Sequence, residues 1–151
     1  MSFDDLYQEV ILDHYKNPRN FGPLDNPTES VKLFNPLCGD TITVDIRVGE
    51  DDRVEACSFH GHGCAISQAS ASMLTEQVRG KSREQALALI DRFKEAMRGE
   101  RSFDELGDEI GEGIALQGVR KFPVRVKCAT LAWNALQKAL RGESGTEEVY
   151  G

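Results

Sequence analysis

The chain has 151 residues and carries 25 Asp plus Glu against 18 Lys plus Arg, for a formal charge of −7. That length suits a single domain with its own core, and the acidic balance excludes the overall basic field that draws a protein to nucleic acid or anionic lipid. No apolar run approaches the ~20 residues that span a bilayer, and MSFDDLYQEV is acidic where a secretory signal is basic and then apolar, so no membrane partner and a cytoplasmic location are expected. In that reducing compartment Cys38, Cys57, Cys64 and Cys128 are expected to be thiols, available for metal binding, sulfur chemistry or plain packing.

Along the chain, Ser2 to Lys16 reads as a helix, with Ser2 placed to cap and Phe3, Leu6, Tyr7, Val10, Ile11 and His14 on one stripe. Pro18 and Gly22 end it. Ser30 to Phe34, Thr41 to Val48 and Val54 to His60 read as three strands of an antiparallel meander, the middle one half-buried, with Ile42, Val44, Ile46 and Val48 on its inner face. GHGC at 61 to 64 is too rich in glycine to prolong the third strand, and Ala65 to Val78 is helical and dense in Ala and Ser.

Ser82 with Gln85 and Ser102 with Glu105 have the form of capping boxes, so a helix is expected after each, the second short and stopping at Gly107. GDEIGEG reads as a loop, Pro123 to Val126 as an extended approach, and Cys128 to Leu140 as the last helix. The expected fold is α+β, a three-stranded antiparallel sheet packed against several helices in one domain over 1–141, followed by a flexible tail at 142–151.

Three cysteines fall at element junctions on this map: Cys38 before a strand, Cys64 and Cys128 at helix starts. Cys57 lies inside a strand and reads as a small buried hydrophobe. A helix N-terminus favours thiolate, so Cys64 and Cys128 are expected to have lowered pKa values. Should these starts converge on the Cys38 loop, three thiolates and the Asp40 carboxylate would surround one cation in the four-coordinate manner zinc favours, with Gly39 allowing the tight turn. There is no C-x-x-C, and on spacing alone scattered core cysteines stay equally open. His62 would be a further ligand if its loop folded back, an exposed turn histidine being the plainer reading, while His14 reads as a hydrogen-bonded packing residue.

The stretches LYQEVILDHYKNPRNFG, NPLCGDTITV, FHGHGCAISQASASML and VRVKCATLAWNAL resemble the U-type iron–sulfur cluster assembly proteins, the family of IscU, SufU and the N-terminal domain of NifU. The resemblance is nearest to the SufU branch, which carries extra sequence between its second and third cysteines, where the helices at 82 to 107 stand here. It implies an IscU-like or SufE-like fold, a bound zinc with Cys38, Asp40, Cys64 and Cys128 as ligands, and Cys38 as acceptor of sulfur from a SufS-type cysteine desulfurase, which would make the chain a sulfurtransferase. Downstream iron–sulfur assembly proteins are the implied recipients. Arg125 and Lys127 are auxiliary candidates, either meeting the anionic site or simply solvated. Lys127 stands where IscU-like members have a histidine, which favours sulfur transfer over the alternative cofactor, a nascent iron–sulfur cluster on a scaffold. A purely structural zinc module is the third alternative, against which Asp40 argues because structural zinc is usually held by Cys and His.

Overall fold

The computed structural model describes residues 3–143 and 145–148, with side chains described over 7–143. Helix α1 spans Phe3–Lys16; the Ser2 cap proposed for it lies outside the described residues. Its inward stripe is real at Ile11 and His14, both buried, and Pro18 ends the helix just after Asn17 closes the last turn onto the Asp13 carbonyl at 2.8 Å.

Strands β1 (Glu29–Asn35), β2 (Asp40–Val48) and β3 (Val54–His62) form the expected antiparallel meander. Strand β3 runs two residues further than its glycines suggest, because Gly61 and His62 pair with Ile42 and Thr41 on β2 and the ladder replaces what a side chain lacks. A fourth strand, β4 (Gly145–Glu148), lies parallel to β1 and sets the order β3-β2-β1-β4. Part of the segment expected as a flexible tail is therefore sheet edge; residues 144 and 149–151 lie outside the described residues.

Ile42, Val44 and Ile46 of β2 are buried as their alternation predicts, but Thr43 and Asp45 on the opposite face are buried too. The segment after α1 folds over that face. Asp45 accepts the Leu24 N–H at 3.1 Å and the Ser30 hydroxyl at 2.5 Å, so its carboxylate is covered with both oxygens hydrogen-bonded.

Helices α2 (Ala65–Val78) and α4 (Pro123–Leu140) pack together and over the sheet, with α1 on α2 and α3 (Arg83–Met97) on α4. Ala69, Ser70, Ala71 and Ser72 are all buried in α2, small enough to let its neighbours approach closely. Their hydroxyls find partners: Ser70 donates to the Ala129 carbonyl at 2.5 Å and accepts from Trp133 Nε1 at 2.9 Å, while the Trp133 ring stacks on Phe93 at 3.8 Å.

Two boundaries differ from the sequence reading. Residues Phe103–Lys121 form successive 3-10 turns, kinked at Gly107 and Gly111, where a short helix and a loop were expected. Helix α4 begins at Pro123, five residues early, because proline at a first helical position lacks only an N–H that would have no intrahelical partner there, and its ring presets φ.

Ser82 forms the full capping box with Gln85, whereas Ser102 accepts from the Asp104 N–H instead of forming one with Glu105. Ser82→Ala is expected to cost about 1 kcal/mol, lowering Tm by roughly 2–4 °C in a thermal melt. Among the described residues no helix is long and apolar enough to cross a membrane.

Candidate metal centre

Cys38 sits in the turn joining β1 to β2. The buried Asn35 opens that turn, its side-chain oxygen accepting the Leu37 N–H at 3.0 Å and its carbonyl the Gly39 N–H at 2.9 Å. Gly39 has φ +71°, a left-handed conformation that a side chain disfavours, and this brings the chain round so that residues two apart face the same point. There the Cys38 thiol donates to Asp40 Oδ2 at 2.9 Å.

Asp40 is wholly buried at the first position of β2. Its other oxygen, Oδ1, accepts the Cys64 N–H at 2.7 Å. Cys64 is the N-cap of α2 but makes no side-chain capping bond of its own, so the carboxylate from β2 meets the positive end of that helix in its place. The approach depends on Gly63. A Cβ there would stand 2.2 Å from Asp40 Oδ1, so only glycine leaves room for the carboxylate.

Cys128 completes the group from α4, with its sulfur 3.1 Å from that of Cys38. The sulfurs of Cys38 and Cys128 and an Asp40 oxygen all lie within 4.8 Å of one another. The Cys64 sulfur stands 3.7 Å from Asp40 Oδ2, beside this group and outside its mutual limit. Cys57 is buried in β3 and takes no part; burial pushes its thiol up to about 12. Neither His60 nor His62 joins a ligand cluster among the described residues, and His62 is exposed.

The electrostatics differ from expectation at Cys128. With α4 starting at Pro123, this residue lies in the second turn, beyond the exposed amides of the helix start. Burial raises its pKa, and so do the adjoining Cys38 and Asp40. Cys38 is raised as well, by burial and then by its bond to the Asp40 carboxylate. Both are thiols without a cation, and a divalent ion is what would make thiolates of them.

The donor set fits zinc. Zn–S bonds of ~2.3 Å and Zn–O bonds of ~2.0 Å place tetrahedral donors roughly 3.5–3.8 Å apart. The observed 3.7 Å falls inside that range, while the 2.9 and 3.1 Å separations are those of directly hydrogen-bonded groups and are shorter, so Cys38 would move outward from Asp40 and Cys128 to admit the ion. Arg125 is exposed on the wall of an open cavity of about 760 Å³ that also takes in Cys64, Tyr7, Ile11, Val119 and Phe122. Lys127 is half-buried beside Cys128 and does not line that cavity. The sequence signal for the Asp40 contact to Cys64 was present in the G-x-G-C pattern, but its meaning needs the strand and helix to be placed together. The cavity wall drawn from α1 carries no motif at all.

The family described as NifU-like N terminal domain matches residues 6–142. The chain is 47% identical over 144 residues to the zinc-dependent sulfurtransferase SufU of Bacillus subtilis (strain 168), covering 95% of each. It is 46% identical to the iron-sulfur cluster assembly scaffold protein IscU of Streptococcus pyogenes serotype M1, covering 95% of this chain and 88% of that one. Its fold is similar, with a TM-score of 0.80 at 33% identity, to the crystal structure of FiSufU from Fervidobacterium islandicum AW-1, described as a candidate cluster assembly scaffold for the SUF system, over 87% of this chain and 94% of the other. Two relatives at nearly equal identity thus carry different functional names, and identity does not choose between them.

Proposed function

Because this chain belongs to the family of NifU-like N-terminal domains, we propose that within iron–sulfur cluster biogenesis it accepts persulfide sulfur from a SufS-type cysteine desulfurase. Cys38 is the acceptor, and zinc is held by Cys38, Asp40, Cys64 and Cys128. The observation that carries the reading is the buried Asp40 carboxylate, joined through one oxygen to the Cys38 thiol and through the other to the Cys64 amide, in a group that includes Cys128 and no histidine among the described residues. Three sulfurs and one oxygen suit zinc, and the oxygen is the harder donor.

In the transfer, the Cys38 sulfur attacks the terminal sulfur of the enzyme's cysteine persulfide. A new S–S bond forms at Cys38, the old one breaks, and the electron pair leaves on the desulfurase cysteine as thiolate, so nothing is oxidised or reduced overall. Bound zinc supplies the positive charge that keeps the cysteine sulfurs deprotonated. Asp40 holds Cys38 in place from within the protein, while Cys38 is the half-exposed member of the pair it forms with the buried Cys128. Arg125, exposed on the cavity wall, offers a guanidinium to an incoming anionic persulfide. Iron–sulfur assembly proteins downstream receive the sulfur.

The scaffold reading is supported by the names of relatives, the Streptococcus pyogenes protein and FiSufU among them. Metal and labile-sulfide analysis of the purified chain separates the two: one zinc without sulfide supports transfer, and iron with sulfide supports the scaffold. Gly63→Ala tests the geometry itself. By displacing Asp40 it is expected to weaken zinc binding roughly 10- to 100-fold, the usual scale for disturbing a ligand's support, in a competition titration against a chromophoric chelator. Unaltered affinity would remove Asp40 from the ligand set.

A further inference from the structure

We propose that Cys128 is a resolving thiol for Cys38: once the metal is removed, a persulfide on Cys38 is discharged as hydrogen sulfide and a Cys38–Cys128 disulfide is left behind. The inference rests on the reading of Cys38 as sulfur acceptor. Its basis is a contact between residues 90 apart in sequence, Cys128 Sγ standing 3.1 Å from Cys38 Sγ. A disulfide needs that gap closed to about 2.05 Å, a movement of roughly 1 Å, and Cys38 lies in a turn that can supply it while Cys128 is fixed in α4. The other cysteines are not so placed. Cys57 is buried in β3, and the Cys64 sulfur stands 3.7 Å from Asp40 Oδ2, outside the group that Cys38, Asp40 and Cys128 form.

The sides of the Cys38 sulfur are unequal. Asp40 Oδ2 at 2.9 Å and the wholly buried Cys128 occupy its inner sides, whereas Cys38 itself is partly exposed. A second sulfur on Cys38 therefore extends outward, and Cys128 is left behind the inner sulfur, opposite the bond that has to break. Exchange at sulfur takes such an in-line approach, and which sulfur is attacked decides the product. Attack on the inner sulfur forms the Cys38–Cys128 bond and breaks the bond to the outer sulfur, which keeps the electron pair. The Cys128 proton goes with it, so hydrogen sulfide leaves; the Asp40 carboxylate, with an oxygen within 4.8 Å of both cysteine sulfurs, is placed to relay that proton. Cys128 is oxidised as the outer sulfur is reduced, and no outside oxidant enters. When bound, zinc takes up the Cys128 lone pair and withholds it. Sulfur is thus kept as persulfide with the metal in place and given up as sulfide without it.

To test it, the zinc-loaded full chain is charged with a SufS-type desulfurase and cysteine, freed of both, checked by peptide mass spectrometry for the added sulfur on Cys38, and then treated anaerobically with excess chelator. The wild type is expected to release about one sulfide per persulfide, to become lighter than the reduced chain by two hydrogen atoms, and to yield a peptide linked through Cys38 and Cys128. Cys64→Ser, which alters the same metal centre, should discharge alike. Cys128→Ser, nearly isosteric, should keep the sulfur on Cys38 and release sulfide roughly tenfold or more slowly. Equal release by the wild type and Cys128→Ser, or release without the linked peptide, overturns the inference. A wild-type chain with no sulfur on Cys38 after charging contradicts the acceptor role instead. The discharge step is then read on chains loaded with inorganic polysulfide, as it is for any variant the enzyme fails to charge, and the same two results overturn it.

Discussion

Cys38→Ala is expected to abolish sulfur uptake from a cysteine desulfurase, lowering persulfide transfer by at least 100-fold while leaving the fold intact. The chemical half of this follows from the transfer itself: without a sulfur at position 38 no S–S bond can form there, and Cys128 is too buried to meet a partner's persulfide. The structural half follows from placement. Cys38 lies in a surface turn whose shape is set by Asn35 and Gly39, and alanine removes one partly exposed atom without opening a core cavity. Its own contribution to stability should be within about 1 kcal/mol in the metal-free chain. Single-turnover transfer from a persulfide-loaded desulfurase measures the first half, and circular dichroism the second. A variant that still drew sulfur at more than about a tenth of the wild-type rate would move the acceptor role elsewhere.

Removal of the metal is the second large effect. A chain saturated at a thousandfold excess over Kd gains about 4 kcal/mol from its ligand, so stripping the ion is expected to lower Tm by roughly 8–16 °C. Zinc-finger peptides lose their fold altogether on chelation, because the metal stands in for a core. Here a core exists apart from the centre: Trp133 stacked on Phe93, with Leu33, Ile42, Ile46, Phe59, Met73 and Leu116 fully buried around it. Asp40 also keeps its bonds to the Cys64 amide and the Cys38 thiol when the thiols are protonated, so no bare carboxylate is left inside. The chelated chain should therefore melt cooperatively at a lower temperature with its 25 °C helix signal retained. An unfolded spectrum at 25 °C would mean that the metal holds the fold; an unchanged Tm would mean that no tight site exists.

Much of the architecture was written in local pattern. Alternation at Ile42, Val44 and Ile46 marks the face of β2 that meets the helices, and the Ser82–Gln85 pair marks where α3 begins, because both signals rest on neighbours within a few residues. What local pattern misread are features decided at longer range. The burial of Thr43 and Asp45 comes from a segment some twenty residues away, and β4 exists only through pairing with β1. Pro123 was read for its effect on the residue before it, when its fixed φ was starting a helix. The glycines at 107, 111 and 113 look like loop, yet the chain between the kinks stays in 3-10 turns.

The same division runs through the site. Cys38, Cys64 and Cys128 drew notice because they sit next to element boundaries, and Asp40 because only a glycine parts it from Cys38. For Cys128 that reasoning was faulty in detail: the residue is in the second turn of α4, and burial sets its titration where a helix start was expected to. The contact of Asp40 with the Cys64 amide, and the need for Gly63 to admit it, involve residues 24 apart and follow no periodicity. His14 was legible as a buried, hydrogen-bonded residue of α1, but its partners Ser72 and Glu112 come from α2 and the 3-10 segment, 58 and 98 residues on.

The central claim is that Cys38 receives sulfur within a zinc centre. Mass spectrometry of the intact chain and its peptides, with metal analysis of the same sample after incubation with a SufS-type desulfurase and cysteine, tests it most directly. The account predicts one zinc per chain and one added sulfur atom on the peptide that contains Cys38; a chain with no added sulfur there, or one carrying iron and labile sulfide in place of zinc, contradicts it.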